Sequence, residues 1–207
     1  MSLDLDQRYY NEGYEVIVGT DEAGRGCLLG PVFAAAVILP RDFTSPLIND
    51  SKKLSQKKRQ QAFEMIAKHA LAYTVASVEA TEIDKINILN ASRLAMQKAI
   101  AQLNHEYDLI LTDALEISSD TVPVVAVIHG DTLSQSIAAA SIVAKVSRDR
   151  YCEKLAIKYP LYHIDKNKGY ATKQHLDALK RYGPIKHLHR FSYGPVKACL
   201  YKKVPLL

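Results

Sequence analysis

The alternation of hydrophobic and polar positions along the chain predicts which segments form strands. Short runs of β-branched and small apolar residues, each bounded by turn residues, are typical of strands; these runs are YEVIVGTD, GPVFAAAVILP, LAYTVASVE, YDLILTDA and VPVVAVIHGD. The first two runs are separated only by a glycine-rich turn, which predicts an antiparallel hairpin. Strands followed by strand–helix alternation predict an α/β fold with a mixed sheet flanked by helices.

Helical periodicity predicts four longer helices between and after these strands. One helix should begin after Ser55, which is a good N-cap residue, and a second opens with a capping pattern from Thr81 to Asp84. A third segment, LSQSIAAASIVAKVSRDRYCEKLAIKYP, predicts a long helix that is apolar nearly all round in its first half, and TKQHLDALKRYG predicts the fourth. No linker rich in Pro, Gly or Ser divides the chain, so we expect one domain.

Charge is distributed unevenly along the chain. Residues 1–144 contain 12 Lys and Arg against 18 Asp and Glu, a net charge of −6, whereas residues 145–207 contain 15 against 4, a net charge of +11. This polarity indicates an acidic centre beside a basic surface. Tyr and His residues interleave the basic third, a pattern typical of proteins that bind a phosphate backbone. A solvated basic face is the simpler alternative.

Composition also excludes several classes of protein. The three cysteines, Cys27, Cys152 and Cys199, are widely spaced and form neither a disulfide pattern nor a zinc-binding pattern. The N-terminus is polar and acidic, unlike a signal peptide, and no apolar run approaches the length of a membrane span. We therefore expect a cytoplasmic protein without a membrane partner, and we expect a monomer.

Four carboxylates stand at the ends of predicted strands: Asp21, Glu22, Asp113 and Asp131. The ends of central strands lie side by side, and functional sites collect there. Clustered carboxylates raise one another's pKa unless a cation such as Mg²⁺ or Mn²⁺ compensates, and two such ions about 4 Å apart promote phosphodiester cleavage. Simpler alternatives stay open, because Asp131 is also a good helix N-cap and the other three residues suit turns.

A series of sequence blocks resembles the bacterial ribonuclease HII family. The blocks are DEAGRG, NDSKKLS, TD at a strand end, GD before SIAAASIVAKVSRDR, KGYATKQH and HRFSY, which fall in the family's order over roughly residues 16–196. The resemblance implies a ribonuclease H-like core at about residues 14–160 and a basic C-terminal helical extension at about residues 161–207 that contacts substrate. Together they would form a single catalytic domain over residues 1–207.

The resemblance also implies a reaction and its cofactor. Members of the family cut the RNA strand of RNA–DNA hybrids and nick 5′ of single ribonucleotides embedded in duplex DNA. The products carry 3′-hydroxyl and 5′-phosphate ends, and the reaction needs Mn²⁺ or Mg²⁺. We therefore expect RNA–DNA hybrids and ribonucleotide-containing DNA duplexes as partners, and a role in removing ribonucleotides during DNA replication and repair.

Site residues follow from the same resemblance, position by position. Those matching the family's metal ligands are Asp21, Glu22, Asp113 and Asp131, and those matching the segment that holds the junction between ribonucleotide and deoxynucleotide are Gly24, Arg25 and Gly26. Tyr170 matches the tyrosine that stacks on the deoxyribose 3′ of the ribonucleotide. Independently, the absence of side chains at Gly24 and Gly26 lets backbone N–H groups approach a phosphate or the ribose 2′-hydroxyl, the group that distinguishes RNA from DNA.

Further substrate contacts are expected among basic and polar residues: Lys52, Lys53, Ser141, Lys145, Lys168 and Arg190. On a helix, Ser134, Ser141, Lys145 and Arg148 fall within about 40° of one line, which indicates either a phosphate-facing edge or a solvated stripe. We expect none of the seven histidines to be a metal ligand.

Two alternative functions remain open at this point. A ribonuclease HIII-type hybrid nuclease shares several of these blocks, but that type carries a substantial N-terminal substrate-binding domain, and only about 15 residues precede the first predicted strand here. A non-catalytic nucleic-acid-binding protein could keep the same fold. Such a binder would have no use for a cluster of carboxylates facing its anionic ligand.

Overall fold

A computed structural model describes residues 4–48 and 54–200 of the chain. Its centre is a mixed five-stranded sheet in the order β3-β2-β1-β4-β5. The strands are β1 (Ile17–Ala23), β2 (Val32–Ile38), β3 (Ala72–Val78), β4 (Leu109–Asp113) and β5 (Val124–Val127). Strand β1 pairs antiparallel with β2 and parallel with β4, so the predicted hairpin and the predicted mixed sheet are confirmed.

Helices surround this sheet. In the described part of the chain they are α1 (Leu5–Asn11), α2 (Gln56–His69), α3 (Ala80–Ala101), α4 (Gln135–Lys158), α5 (Ile164–Asn167), α6 (Lys173–Tyr182) and α7 (Gly194–Leu200). The four longer predicted helices correspond to α2, α3, α4 and α6. Each described helix is too short or too polar to cross a lipid bilayer.

The two predicted N-caps have different outcomes. The Ser55 side chain accepts a hydrogen bond from the Lys58 backbone N–H at 3.3 Å, so the predicted cap of α2 is confirmed. The prediction of a cap at Thr81 is wrong, because α3 already begins at Ala80 and follows Glu79. The Asp84 carboxylate has another role.

Asp84 links α3 to the C-terminal part of the chain. Its carboxylate accepts hydrogen bonds from the backbone N–H groups of Phe191 and Ser192, each at 2.8 Å, and from the Ser192 hydroxyl at 2.6 Å. The capping pattern misled the prediction because the same residue types satisfy backbone donors that are distant in sequence.

Strand β2 is apolar along its whole length because both of its faces are covered. Ala35 and Val37 pack with residues of α2 and α4 on one face, whereas Ala34 and Ala36 pack against the α3 side. A strand that is buried on both faces reads as a continuous apolar run rather than an alternating one. This burial explains the sequence VFAAAVI.

Helix α4 crosses β1 at Gly19, and this close approach sets the register of the site. A Cβ atom at Gly19 would overlap the backbone of Ser136 near the start of α4. Two strand residues rise about 6.6 Å and five helical residues rise about 7.5 Å. Asp21 lies two residues after Gly19 on β1, and Ser141 lies five residues after Ser136 on α4. Because these two rises are similar, Asp21 and Ser141 lie side by side and form a hydrogen bond.

The chain after α4 packs against the segment that follows the glycine-rich turn. Leu28 N–H donates to Gly169 O at 2.8 Å, Gly30 N–H donates to Leu188 O at 2.8 Å, and Arg190 N–H donates to Leu28 O at 2.9 Å. This segment therefore lies between two parts of the C-terminal region. The division at about residue 160 into a core and an extension stays a prediction.

Candidate active site

An open cavity of about 420 Å³ lies at the C-terminal end of β1. It is lined by Asp21, Glu22, Ala23, Gly24, Arg25, Gly26, Asp113, Ser141, Lys145 and Tyr170. These residues come from β1 and the following turn, from the end of β4, from α4 and from the loop before α6. The structure thus brings together most of the residues predicted as ligands and substrate contacts.

Asp21 is the most deeply buried acid of this cavity, with 4% of its surface exposed. Burial, together with the charges of Glu22 and Asp113, raises the pKa of Asp21 well above its usual value, while a hydrogen bond with Ser141 opposes this shift. A second hydrogen bond to the Asp21 carboxylate comes from the Glu22 backbone N–H at 2.6 Å. The site therefore holds Asp21 in a place where its negative charge is costly without a compensating cation.

The environment of Glu22 is also unfavourable for a negative charge, but the cation Arg25 lies beside it. Burial raises the pKa of Glu22, and the charge of Asp113 adds to this, whereas Arg25 acts in the opposite direction. The Arg25 guanidinium lies 3.4 Å from Glu22 Oε1. The other oxygen, Oε2, is buried and has no hydrogen-bond partner among the described residues. An unpartnered buried carboxylate oxygen is a ready ligand for a hard cation.

Asp113 and Asp131 are connected through the backbone. Asp113 Oδ1 accepts a hydrogen bond from Gly130 N–H at 2.8 Å. Asp131 itself is buried and does not line the cavity. The prediction that its strand runs to Asp131 is wrong, since β5 ends at Val127 and Asp131 lies in a 3₁₀ turn. His129, with a φ angle of 58°, turns the chain between the end of β5 and this 3₁₀ turn.

The carboxylates share one region without closing on a single point. Within residues 4–48 and 54–200, no three His, Cys, Asp or Glu side chains are close enough to form a ready-made metal site. Asp21, Glu22 and Asp113 nevertheless line one cavity, and the charge of Asp113 raises the pKa of both Asp21 and Glu22. Their oxygen atoms suit Mg²⁺ or Mn²⁺ chemically, because these ions prefer carboxylate ligands and retain waters in their shell.

Arg148 packs against the glycine-rich turn formed by Gly24–Gly26. Only 1% of Arg148 is exposed, and its guanidinium donates to Lys168 O at 2.8 Å and to Leu29 O at 3.2 Å. Gly24 has a φ angle of +100°, and a Cβ atom there would overlap the Arg148 side chain. Gly24 is thus required by its backbone conformation and by the close packing of Arg148.

Of the four residues predicted to form a polar stripe on α4, two face the cavity and two are covered by other segments. Ser141 and Lys145 line the cavity. Ser134 is buried, caps α4 and donates its hydroxyl to Asp6 of α1, and Arg148 is covered by the loop around Lys168. Helical spacing predicted which residues share a line, but neighbouring segments cover both ends of it.

Tyr170 lies beside the glycine-rich turn. The residue is 42% exposed, and its ring is 3.9 Å from the place that a Cβ atom at Gly26 would occupy. Lys145 Nζ and the Arg148 guanidinium carbon lie 5.8 and 5.9 Å from the ring centroid, within cation–π distance. A partly exposed aromatic ring flanked by cations is well placed to stack on a nucleotide.

The remaining predicted substrate contacts are placed differently. Arg190 is fully buried and donates to Arg25 O at 2.9 Å and to Gly30 O at 3.0 Å. It therefore holds the glycine-rich turn and cannot touch substrate directly, which corrects its predicted role. Lys168 Nζ pairs with Glu153 at 2.9 Å. Lys52 and Lys53 lie outside the described residues.

The fold of this chain resembles that of solved ribonucleases H. The fold is similar to ribonuclease H2 from Pyrococcus horikoshii OT3, with a TM-score of 0.76, 24% identity, and coverage of 89% of this chain and 96% of that one. It is also similar to Bst-RNase HIII in complex with Mn²⁺, with a TM-score of 0.71, 17% identity, and coverage of 97% and 73%. These likenesses establish the ribonuclease H-type fold.

The sequence then identifies the family. A ribonuclease HII from Caldicellulosiruptor bescii is 50% identical over 191 residues, which cover 92% of each chain. The sequence profile of the family described as Ribonuclease HII matches residues 18–196. The chain belongs to the ribonuclease HII family. It is a ribonuclease H, an endonuclease that acts on RNA–DNA hybrids.

Proposed function

We propose that this enzyme also nicks duplex DNA 5′ of a single embedded ribonucleotide, leaving 3′-hydroxyl and 5′-phosphate ends, and that the acidic cavity at the end of β1 is its active site. The observation that carries this proposal is that the same cavity is lined by Asp21, Glu22 and Asp113 and by Gly24–Gly26 and Tyr170. The carboxylates proposed for cleavage therefore lie beside the residues proposed to recognise the sugar. Removal of ribonucleotides during DNA replication and repair would follow from this activity.

Asp21, Glu22 and Asp113 are the proposed ligands of Mn²⁺ or Mg²⁺, and Asp131 is the proposed fourth ligand. The raised pKa values of Asp21 and Glu22 support the first part, because burial and mutual repulsion leave these carboxylates in need of positive charge. The Mn²⁺ complex of the structurally similar Bst-RNase HIII also supports it. When bound, divalent ions supply an activated water and stabilise the leaving oxygen of the phosphodiester.

The chain's own residues bind and orient the substrate. Backbone N–H groups at Gly24 and Gly26 can approach the ribose 2′-hydroxyl or an adjacent phosphate without a side chain in the way. Lys145 lines the cavity, where its Nζ pairs with Asp149 at 2.6 Å, and it is proposed to share its positive charge with a phosphate. Tyr170 is proposed to stack on the sugar 3′ of the ribonucleotide, where a second 2′-hydroxyl would crowd the ring.

A non-catalytic nucleic-acid-binding role is disfavoured by the electrostatics of the cavity. Buried and mutually repelling carboxylates beside an anionic ligand would weaken binding. A ribonuclease HIII-type enzyme is disfavoured by the match to the ribonuclease HII profile. We further propose that the enzyme acts as a cytoplasmic monomer.

The test is cleavage of three labelled duplexes: one with a single ribonucleotide, one RNA–DNA hybrid and one all-DNA duplex. We expect Mn²⁺ or Mg²⁺ to support a nick 5′ of the ribonucleotide, and we expect a chelator to abolish it. Glu22→Gln should lower the rate by more than about 100-fold, because even loss of a residue that only supports a ligand costs about 10–100-fold. Glu106→Gln, at an exposed position, is the matched control. Cleavage by Glu22→Gln at the control rate would contradict the proposed site.

A further inference from the structure

Two histidines form a buried pair beneath Tyr170. His175 on α6 and His189 in the loop before α7 are 0% and 1% exposed, and their Nε2 atoms lie 3.1 Å apart. Neither residue lines the active-site cavity. Two imidazoles without contact to solvent need complete hydrogen bonding, so the positions of their protons follow from their partners.

The partners fix both tautomers. The Ile185 N–H donates to His189 Nδ1 at 2.8 Å, so this nitrogen carries no proton. His175 Nδ1 faces Tyr170 O at 2.9 Å, and because a carbonyl can only accept, this nitrogen must carry a proton. For two neutral rings, the remaining proton is on His189 Nε2 and points at His175 Nε2. The result is one continuous chain of hydrogen bonds from Ile185 to Tyr170.

This chain tolerates only neutral rings. A proton added to His175 would set two N–H groups against each other between the rings, and a proton added to His189 would oppose the Ile185 N–H. Burial lowers the pKa of both histidines, and the neighbouring His175 lowers that of His189 further. The ring of Tyr162, 5.4 Å from the His189 ring, adds to the apolar surroundings of the pair.

The end of the chain of hydrogen bonds is the backbone of the proposed sugar-reading residue. Tyr170 N–H donates to Asn167 O at 2.9 Å, and Tyr170 O accepts from Thr172 N–H at 2.8 Å as well as from His175. The His175 bond ties Tyr170 to a side chain on α6, whereas the other two bonds come from backbone groups within three residues of Tyr170. Its removal would break the link between the Tyr170 backbone and α6, and the ring would keep only its own contacts with Cys27, Lys145 and Arg148.

We propose that His175 and His189 are positioning residues for Tyr170, which set the placement of its ring and thereby the preference of the enzyme for an RNA-to-DNA step over continuous RNA. The inference rests on the proposed function, in which Tyr170 reads the sugar 3′ of the ribonucleotide. It predicts that changes at two buried positions outside the cavity alter substrate choice. A merely structural histidine pair would affect stability and would affect both substrates alike.

The test compares two substitutions of similar size at the same position. His175→Asn places an amide N–H near the position of Nδ1 and can still donate to Tyr170 O, whereas His175→Leu cannot. The readout is the ratio of cleavage of a single-ribonucleotide duplex to cleavage of an all-RNA strand paired with DNA, below the melting temperature of each variant. We expect His175→Leu to lower this ratio by about 5-fold or more, since small displacements of positioning groups have large effects on rate. We expect His175→Asn to recover most of it.

A double-mutant comparison shows whether the effect passes through Tyr170. In a Tyr170→Ala background, His175→Leu should not change the ratio further, because coupled residues are not additive. An unchanged ratio in His175→Leu, an equal loss on both substrates, or an additive effect in the Tyr170→Ala background would each overturn the inference. If His175→Leu does not fold, His189→Asn, which can still accept from Ile185 N–H but cannot donate to His175, tests the other link of the chain of hydrogen bonds and should also lower the ratio.

The outcome also separates this inference from the proposed function. If Tyr170→Ala lowers the ratio but the histidine variants do not, only the positioning role is wrong. If Tyr170→Ala leaves the ratio unchanged, the proposed sugar-reading role of Tyr170 is wrong and the positioning role is overturned with it. Cleavage of the hybrid by all variants remains the measure of intact catalysis.

Discussion

Asp113 Oδ1 accepts a hydrogen bond from the Gly130 backbone N–H at 2.8 Å, so the carboxylate at the end of β4 also holds the turn that carries Asp131. Gly130 is buried, and a Cβ atom there would approach Ile137 Cδ1 to 2.6 Å. The same side chain thus has two tasks: its charge belongs to the proposed metal site and its oxygen atom belongs to the fold. Substitutions can separate these tasks.

Asp113→Asn should abolish cleavage while hybrid binding is retained. The amide oxygen can still accept from Gly130 N–H, but the charge that would hold a divalent ion is lost, and repulsion of phosphate is relieved. Asp113→Ala is the informative comparison, because it also leaves the buried N–H without a partner, which costs about 1–3 kcal/mol of stability. Cleavage rate, hybrid affinity and thermal unfolding are measured for both variants. Near-normal turnover by Asp113→Asn at saturating Mg²⁺ would remove Asp113 from the site.

Ala114→Gly should stabilise the fold. Ala114 follows Asp113 with a φ angle of 56°, in the left-handed region. This conformation costs a non-glycine residue about 1–2 kcal/mol, while glycine loses about 0.4–1 kcal/mol through the greater freedom of the unfolded chain. We expect a net gain of about 0.5–1 kcal/mol, seen as a rise of about 1–4 °C in Tm. Ala67→Gly, at an exposed position within α2, should instead destabilise by about 0.5–1 kcal/mol. A fall in Tm for Ala114→Gly would contradict the strained conformation.

Local signals in the sequence predicted the strands and helices, but contacts between distant segments determine which side chains are buried and which face the site. The cap at Ser55 depends on a donor three residues away, so the sequence contains all of it. Arg190 depends on carbonyls of Arg25 and Gly30, 165 and 160 positions away, and no local pattern shows which arginine will be buried. The sequence therefore predicted its neighbourhood correctly and its contact with substrate wrongly.

The same distinction applies within the candidate site. Helical spacing predicted that Ser141 and Lys145 share one line on α4. In the structure this part of the line faces the cavity at the end of β1. The spacing could not show that α1 covers Ser134 or that the loop at Lys168 covers Arg148. The histidine pair was missed as well, since only the fold brings the α6 residue and the later loop together.

Binding of duplex substrate should weaken steeply with salt through the basic C-terminal third. Each phosphate contact releases counterions, so the logarithm of the affinity should fall with the logarithm of salt concentration at a slope of about −0.9 per contact. Lys173→Gln, at an exposed position three residues after Tyr170 in the sequence, should make the slope shallower by about 0.9 if Lys173 contacts phosphate. Lys98→Gln, on exposed surface of α3 in the acidic part of the chain, should leave it unchanged. A slope near zero for the unmodified enzyme would indicate that the basic third is only a solvated face.

Stability should fall on acidification because of the buried histidine pair. Burial and the neighbouring His175 lower the pKa of His189 to about 3, and burial lowers that of His175. An unfolded chain takes up these protons near pH 6.5, so between about pH 6.5 and pH 3 it binds more protons than the folded chain, and stability is lost as the pH falls. Asp21 and Glu22, with raised pKa values, act in the opposite direction.

A comparison of variants isolates the histidine contribution. For His189 the effect at pH 5 relative to pH 7.5 is about 2 kcal/mol, at about 1.4 kcal/mol per pH unit below 6.5. The stability advantage of the unmodified enzyme over His189→Asn, measured by urea unfolding, should therefore shrink by about this amount between the two pH values, because asparagine does not titrate. His105→Asn, at an exposed position, should show the same pH dependence as the unmodified enzyme. A constant difference between the enzyme and His189→Asn across this range would mean that His189 accepts a proton without disturbing the pair, and the assigned tautomers would then be wrong.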